Sequence, residues 1–131
     1  MILALCVDDR LGMSFGGRRQ SKDAAVRQRL WALSGGNLRM SEYSARQFEE
    51  TVYSGADHLS GAKNGDWCFV ENGEYEGYSG AVEKIILFRW NRHYPSDLQF
   101  RFPGKWALAS AEDFPGSSHD KITMEIYERC E

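Results

Sequence analysis

Three segments with runs of apolar residues predict the buried strands of this chain. They are ILALCVD at residues 2–8, WCFVEN at 67–72 and VEKIILFRWN at 82–91. A strand that is apolar on both faces is typical of a parallel sheet covered on both sides. We therefore expect these segments to form the middle of one sheet.

Between the first two of these strands, helical spacing predicts a helix over residues 22–33. Its apolar stripe consists of Val26, Leu30 and Leu33. Ser21 is the predicted N-cap, because a serine hydroxyl accepts a hydrogen bond from an N–H of the first turn. SGG at 34–36 ends the helix. The preceding segment DDRLGMSFGGRRQ, residues 8–20, is predicted to be a loop.

The next part of the chain is predicted to alternate short elements with loops. NLRM at 37–40 is a strand candidate, and Ser41 caps a second helix that ends between Glu50 and Val52. Residues 54–66 form a glycine-rich loop, and a helical turn covers about 74–81.

The last third of the chain predicts a long antiparallel hairpin. Its strands are KWALASAEDF at 105–114 and KITMEIYERC at 121–130. In the second strand apolar and polar residues alternate, which is typical of a strand with one buried face. The element order predicts an α/β fold with a mixed, mostly parallel sheet and a C-terminal antiparallel hairpin.

Composition narrows the class of protein. A length of 131 residues with 42% apolar residues predicts one folded domain over 1–131. The net charge of −3 disfavours nucleic acid as a partner. The apolar run MILALCV is too short for a membrane span, and three widely spaced cysteines without a CxxC motif indicate reduced thiols and a cytoplasmic location.

Several segments, in this order, resemble the dihydrofolate reductase fold family. VDDRLGM is similar to the family's VDRxIGM, and MSEYSARQF to its MGRxTWES. VEKIILFRWNRHYPSDLQF is similar to AxKLYLTxIDAxxxGDTxF without a gap, KWALASAEDF takes the place of WExVSxE, and SSHDKITMEIYERC that of NxxxYxFxxxER. The resemblance covers most of the chain and implies a three-layer sandwich.

The resemblance places Asp23 at the family's one active-site carboxylate, which holds the pterin ring and supports its protonation. The helical pattern indicates the same residue, because Asp23 lies beside Leu30 on the apolar stripe. An ordinary helix-start acid is the alternative. In that case the helix dipole stabilises Asp23, and Arg27, four residues on, pairs with it.

The cofactor contacts of the family are not matched. The glycine-rich turn that holds the diphosphate of NADPH reads FVENGEY here, with Glu71 among the residues that replace glycines. The arginine that grips the phosphate corresponds to Glu42. Carboxylates at phosphate-facing positions repel the ligand, so we predict no cofactor, NADPH included. Two pterin contacts also differ, a phenylalanine that corresponds to Arg27 and a threonine that corresponds to Phe88.

Other candidate groups lie near the same loop. The basic residues are Arg18, Arg19, Lys22, Arg27 and Arg29. Beside a glycine loop and a helix N-terminus they suit an anionic ligand, with a solvated basic helix start as the alternative. Asp8 ends the first strand, and ligands of open α/β sheets gather at that edge. The three histidines lie in predicted loops without metal-ligand spacing, so we predict no metal site.

The sequence therefore predicts a small cytoplasmic protein of dihydrofolate-reductase-like fold that has lost the dinucleotide site. It would bind a small anionic or heterocyclic ligand, nucleotide-like or pterin-like. The predicted site consists of Asp23 as the candidate catalytic acid with Arg18, Arg19, Arg27, Asp8 and Phe88 as ligand-binding residues. Two alternatives stay open, namely an NAD(P)H-dependent reductase with unconventional cofactor binding and a protein-interaction module without catalysis. The oligomeric state also stays open, with a homodimer as one option.

Overall fold

A computed structural model of the chain describes residues 1–130, which form two β-sheets, two α-helices and a 3₁₀ segment. The strands are β1 (Ile2–Val7), β2 (Gly12–Phe15), β3 (Arg18–Arg19), β4 (Leu38–Met40), β5 (Tyr53–Ser54), β6 (Trp67–Phe69), β7 (Lys84–Arg89), β8 (Leu98–Gln99), β9 (Trp106–Phe114) and β10 (Ile122–Arg129). The helices are α1 (Ala24–Ser34) and α2 (Glu42–Ala45), and the 3₁₀ segment is Gly73–Ala81.

The larger sheet has seven strands in the order β5-β4-β6-β1-β7-β10-β9. The pairs from β5 to β7 are parallel, whereas β10 is antiparallel to both β7 and β9. The predicted α/β class, the mostly parallel mixed sheet and the C-terminal hairpin are therefore confirmed. β1 lies in the middle, and Leu3, Ala4 and Leu5 are fully buried, as their uninterrupted apolar run predicts.

The sheet has an apolar core on each face, because side chains alternate along each strand. Along β7, Ile85 and Leu87 belong to one core, whereas Ile86 and Phe88 belong to the other. Helix α1 covers the second core with its buried stripe, which includes Leu30. The first core lies on the opposite face and includes residues of the loops and of the 3₁₀ segment.

The prediction of a loop over residues 8–20 is wrong, because much of this segment forms a β-hairpin. β2 pairs antiparallel with β3, and β8 pairs with the other edge of β2. The turn is Gly16-Gly17, with φ of 59° and 76°. Positive φ at both central residues is the requirement of a tight hairpin turn, which glycine meets without strain. The two glycines therefore join two short strands, where we expected a loop.

The predicted N-cap of the first helix is also wrong. Helix α1 begins at Ala24, and its N-cap is Asp23 rather than Ser21. The predicted end is confirmed, because Gly35 adopts the left-handed conformation with φ of 61°. Ser41 caps α2 as predicted, but this helix ends at Ala45, well before Glu50.

Candidate functional site

Asp23 is almost completely buried, and groups of the chain itself surround its carboxylate. Oδ1 accepts hydrogen bonds from the Ala25 N–H at 2.8 Å, the Ser117 N–H at 2.9 Å and the Ser117 hydroxyl at 3.1 Å. Oδ2 accepts one from the Ser118 N–H at 2.8 Å and lies 3.1 Å from Nδ1 of His119. The carboxylate thus joins the start of α1 to the loop between β9 and β10.

These hydrogen bonds determine the ionisation of Asp23. Burial by itself raises the pKa of the carboxyl group, but the N–H donors of Ser117 and Ser118, the His119 ring and the Ala25 N–H together hold it well below its ordinary value. The group is therefore a stable carboxylate in the neutral range, and the chain's own donors fill its acceptor positions.

His119 extends this network into the core. Its ring stacks on the Trp90 indole with centroids 4.5 Å apart, and Nε2 lies 2.9 Å from the Tyr94 hydroxyl. Asp23, His119 and Tyr94 form a continuous hydrogen-bonded chain, an arrangement that also occurs in nucleophilic enzymes. Here Asp23 and His119 are both buried, and the chain of hydrogen bonds fixes the 115–120 loop against α1.

Asp8 has a similar structural environment at the carboxyl end of β1. Its fully buried carboxylate accepts hydrogen bonds from the N–H groups of Arg10 and Gly12 on Oδ1, and from the Gln20 amide and the Tyr94 N–H on Oδ2. Burial raises the pKa of Asp8, but these hydrogen bonds outweigh it, so the net pKa lies below its ordinary value. The side chain fixes the turn that leads into β2.

Arg19 lies against Glu71, the residue that replaces a family glycine. Its Nε and Nη2 donate to the two oxygens of Glu71 at 2.8 Å and 3.1 Å. The Ser44 hydroxyl at 2.7 Å and the Gln47 amide at 3.0 Å also donate to Glu71. The guanidinium additionally lies 4.3 Å from the Tyr43 ring centroid. These contacts occupy the space between the β2–β3 hairpin, α2 and the end of β6.

Cys6 is a partly exposed residue of β1 whose thiol is influenced by two carboxylates, those of Glu71 and Asp23. Burial, together with the charges of Glu71 and Asp23, raises the pKa of its thiol well above the ordinary value, and Arg19 only partly offsets this. A thiol with a raised pKa stays protonated and is a poor nucleophile. This environment suits a packing role for Cys6 in β1.

The other three predicted ligand-binding residues lie apart from one another. Arg18 is exposed in β3, opposite Phe15 in the strand pair. Arg27 lines a small cavity of about 70 Å³ with Glu49 and Glu50, and its contact with Asp23 is a backbone hydrogen bond of 3.2 Å. Phe88 is fully buried in the core that α1 covers. The structure therefore places Arg19 against Glu71 and leaves these three residues elsewhere.

A cavity of about 610 Å³ also lies apart from these residues. Its lining includes Ser41, Glu42, Leu59 and Glu74, together with His58. His58 Nδ1 lies 2.9 Å from the carbonyl oxygen of Gly55, which accepts its hydrogen bond, and Nε2 lies 3.2 Å from a carboxylate oxygen of Glu74.

The sequence does not indicate the groups that donate hydrogen bonds to the carboxylates of Asp8, Asp23 and Glu71. Ser117, Ser118 and His119 follow a Pro-Gly pair in a loop, and nothing in their spacing connects them with a helix more than ninety residues earlier. For Glu71, the sequence indicates only that it replaces a glycine of the resembled family, not that it pairs with Arg19. A local signal existed for Asp23 alone, because aspartate followed by two alanines and a helical stripe is a common N-cap pattern.

Comparison with known proteins gives one informative similarity. The chain is similar to cytoplasmic envelopment protein 2 of human cytomegalovirus (strain AD169), with 29% identity over 139 aligned positions that cover 92% of this chain. The chain spans 40% of the length of that relative. No protein-family model matches. Within residues 1–130, no helix combines the length and the apolar character needed to cross a bilayer.

This similarity overturns the predicted function. The relative is named for envelopment, not for reduction or for the binding of a metabolite. The prediction that the chain binds a nucleotide-like or pterin-like ligand is therefore wrong, and so is the small molecule predicted as its partner. The alternative of a protein-interaction module without catalysis agrees better with the finding.

Proposed function

We propose that this chain is a protein-interaction module without catalytic activity that acts in the cytoplasmic envelopment of virus particles. The observation that carries the proposal is the similarity to the cytomegalovirus envelopment protein, because it extends over 92% of the chain. The relative is much longer than this chain. We therefore also propose the role in envelopment for any longer protein that contains this module. A cytoplasmic location follows from it.

The geometry of the acidic residues supports a structural role for them. Asp8, Asp23 and Glu71 each accept three or more hydrogen bonds from donors of the chain. A catalytic acid or base needs an open position within hydrogen-bond reach of its substrate. These carboxylates instead join loops to the sheet, which suits a scaffold that presents its surface to other proteins.

The finer description of the fold is a proposal about architecture alone. A dihydrofolate-reductase-like three-layer sandwich is supported by the order of elements, in which β1, α1, β4, α2 and β6 precede the 3₁₀ segment, β7 and the β9–β10 hairpin. A shared scaffold does not carry the family's chemistry with it, because function depends on the site and not on the fold.

The test is capture of partners from cells in which envelopment takes place. A tagged form of the chain is expressed in human cells infected with human cytomegalovirus, cross-linked and purified, and the bound proteins are quantified against uninfected cells. The control is Leu30→Asp, which places a charge in the buried stripe of α1 and unfolds the domain. We expect viral proteins to be enriched by the folded chain alone. Equal recovery with the unfolded control, or no viral protein at all, would contradict the proposal.

A further inference from the structure

Strand β9 is the longest strand of the structure and forms one edge of the seven-stranded sheet. Seven successive residues, Ala107–Asp113, are exposed. An edge strand directs half of its backbone N–H and C=O groups away from the sheet, and proteins commonly protect such edges with proline or lysine. Between Trp106 and Phe114 the sequence WALASAEDF contains neither. The opposite edge, β5, has only two residues.

A bulge divides β9 into two parts. Ser110 pairs with Ile126 and Leu108 pairs with Tyr127, so Ala109 is the extra residue. Beyond the bulge, Ser110–Phe114 is a regular stretch of five residues, a typical strand length. In this stretch Ser110, Glu112 and Phe114 face the same side as α1, because their partners on β10 belong to or pack against the core that α1 covers.

An open groove lies beside this stretch, between β9 and α1. Its volume is about 530 Å³, and it is lined by Ala25, Gln28, Arg29, Ala32, Leu33, Phe114 and Pro115. Leu33 is an apolar residue, but it is 46% exposed to solvent. The Arg29 guanidinium lies 4.0 Å from the Phe114 ring centroid and pairs with Glu112 at 2.7 Å. The Arg29 side chain therefore covers the Phe114 ring, which is 7% exposed, and Leu33 provides exposed apolar surface in the groove.

An edge strand beside a groove that a helix lines is a known arrangement for binding an extended segment. Main-chain hydrogen bonds to the edge give affinity, and alternate side chains of the segment enter the groove. A segment paired with Ser110–Phe114 would place one apolar side chain beside Leu33. Its next residue would lie on the other side, opposite Asp113. The Asp113 side chain is 56% exposed, accepts a hydrogen bond from the Thr123 hydroxyl at 2.6 Å and lies 3.9 Å from the exposed Lys121 ammonium, at the outer limit of an ion pair.

We propose that a partner protein adds a β-strand to β9 at Ser110–Phe114, with an apolar side chain in the β9–α1 groove and a basic side chain opposite Asp113. This inference rests on the proposed function and identifies the surface through which the chain binds its partner. Opposite charges directly across a strand pair contribute about 0.2–1 kcal/mol, so the ion pair adds mainly selectivity.

A second copy of this chain fits the edge less well. The accessible strand of that copy is β9 itself, which contributes Glu112 and Asp113 but no basic residue. Strand pairing along one five-residue stretch also buries much less than the roughly 1,200 Å² that a stable interface between two folded proteins needs. A flexible segment of another protein avoids this requirement, because it wraps into the groove as it pairs.

The test uses purified chain, labelled with ¹⁵N, and synthetic peptides as long as β9. One peptide alternates valine with lysine, a second alternates valine with glutamate, and a third is the first with alternate amides N-methylated. We expect the valine–lysine peptide to shift the amide resonances of Ser110–Phe114. The glutamate peptide should bind up to about fivefold more weakly, because it loses the ion pair. The N-methylated peptide should bind at least about tenfold more weakly, because it loses the main-chain hydrogen bonds.

Two exposed leucines provide matched variants. Leu33→Lys introduces a charge into the groove, whereas Leu108→Lys makes the same change on β9 before the bulge, at a residue that is 53% exposed. We expect the first to weaken binding of the valine–lysine peptide about tenfold and the second to leave it unchanged. Equal effects of the two variants, shifts that map elsewhere, equal binding of the N-methylated peptide, or dimerisation of the chain through β9 would overturn the inference.

The two proposals fail separately. Successful capture of viral proteins without peptide binding at β9 would leave the proposed function standing and refute the strand site. Peptide binding at Ser110–Phe114 without capture of any viral protein would support the strand site and refute the role in envelopment.

Discussion

Replacement of Asp23 by alanine distinguishes a structural acid from a functional one. An acid kept for catalysis or ligand binding commonly reduces stability, so its removal raises the melting temperature. Asp23 is instead the N-cap of α1 and the acceptor for four groups of the 115–120 loop. We therefore expect Asp23→Ala to destabilise the protein.

The contacts allow the size of the effect to be estimated. Loss of the N-cap costs about 1 kcal/mol. The loop donors also lose a charged acceptor. An unpaired buried donor costs about 1–3 kcal/mol, which applies to His119, because Ser117 and Ser118 are exposed residues. We expect the free energy of unfolding to fall by about 2–4 kcal/mol, the sum of these two contributions. The melting temperature should then fall by about 10 °C or more.

The assay is urea unfolding followed by tryptophan fluorescence, with Asp120→Ala as the control. Asp120 is an exposed acid in the same loop, so its replacement should change stability little. Asp23→Asn should lie between the two, because its amide keeps an oxygen for Ala25 and Ser117 but places an N–H₂ group against the Ser118 N–H. A melting temperature of Asp23→Ala equal to or above that of the unmodified chain would refute the structural account.

The pH dependence has a definite sign. Hydrogen bonds in the folded state hold the pKa of Asp23 below the ordinary value of 3.8. Its contribution to stability is therefore complete above pH 3.8 and is lost as the pH falls below that value towards the folded-state pKa. The difference in stability between the unmodified chain and Asp23→Ala should accordingly shrink in acid. A difference that grows below pH 4 would contradict this reasoning.

Three further changes test other parts of the structure. Glu71→Gln removes the charge that accepts hydrogen bonds from an arginine, a serine and a glutamine. The free energy of unfolding in urea should fall by about 2 kcal/mol, and an unchanged midpoint would contradict these contacts. Gly17→Ala places a side chain at a turn residue whose φ is 76°, so the free energy of unfolding in the same assay should fall by about 1 kcal/mol. An unchanged free energy would contradict the tight turn. The exposed Cys130 should react rapidly with a disulfide reagent, whereas Cys68 is fully buried and burial raises its pKa to about 11, so it should react only on unfolding. Rapid reaction of Cys68 in the folded chain would contradict the core.

The sheet was predictable because its strands carry strong local patterns. The apolar runs at β1 and β7 and the alternation in β10 each determine which faces are buried, and the structure agrees with all three. The β2–β3 hairpin was not predictable in the same way. Its strands have four and two residues, too few for a period to show, and its glycines are equally typical of a loop.

The site was less predictable because its contacts join distant parts of the chain. Sequence reasoning selected Asp23 correctly as a buried acid of the helix start, but its role depends on Ser117, Ser118 and His119, which tertiary folding brings to it. Charge alone suggested that Arg19 binds an anion. The structure provides that anion within the chain, as the carboxylate of Glu71.

Native mass spectrometry of the chain, purified gently from cells infected with human cytomegalovirus, tests the central claim most directly. The account predicts complexes whose added mass is that of whole viral proteins and whose abundance falls for Leu33→Lys but not for Leu108→Lys. A chain that carries only a small-molecule mass, with no protein bound, would contradict it.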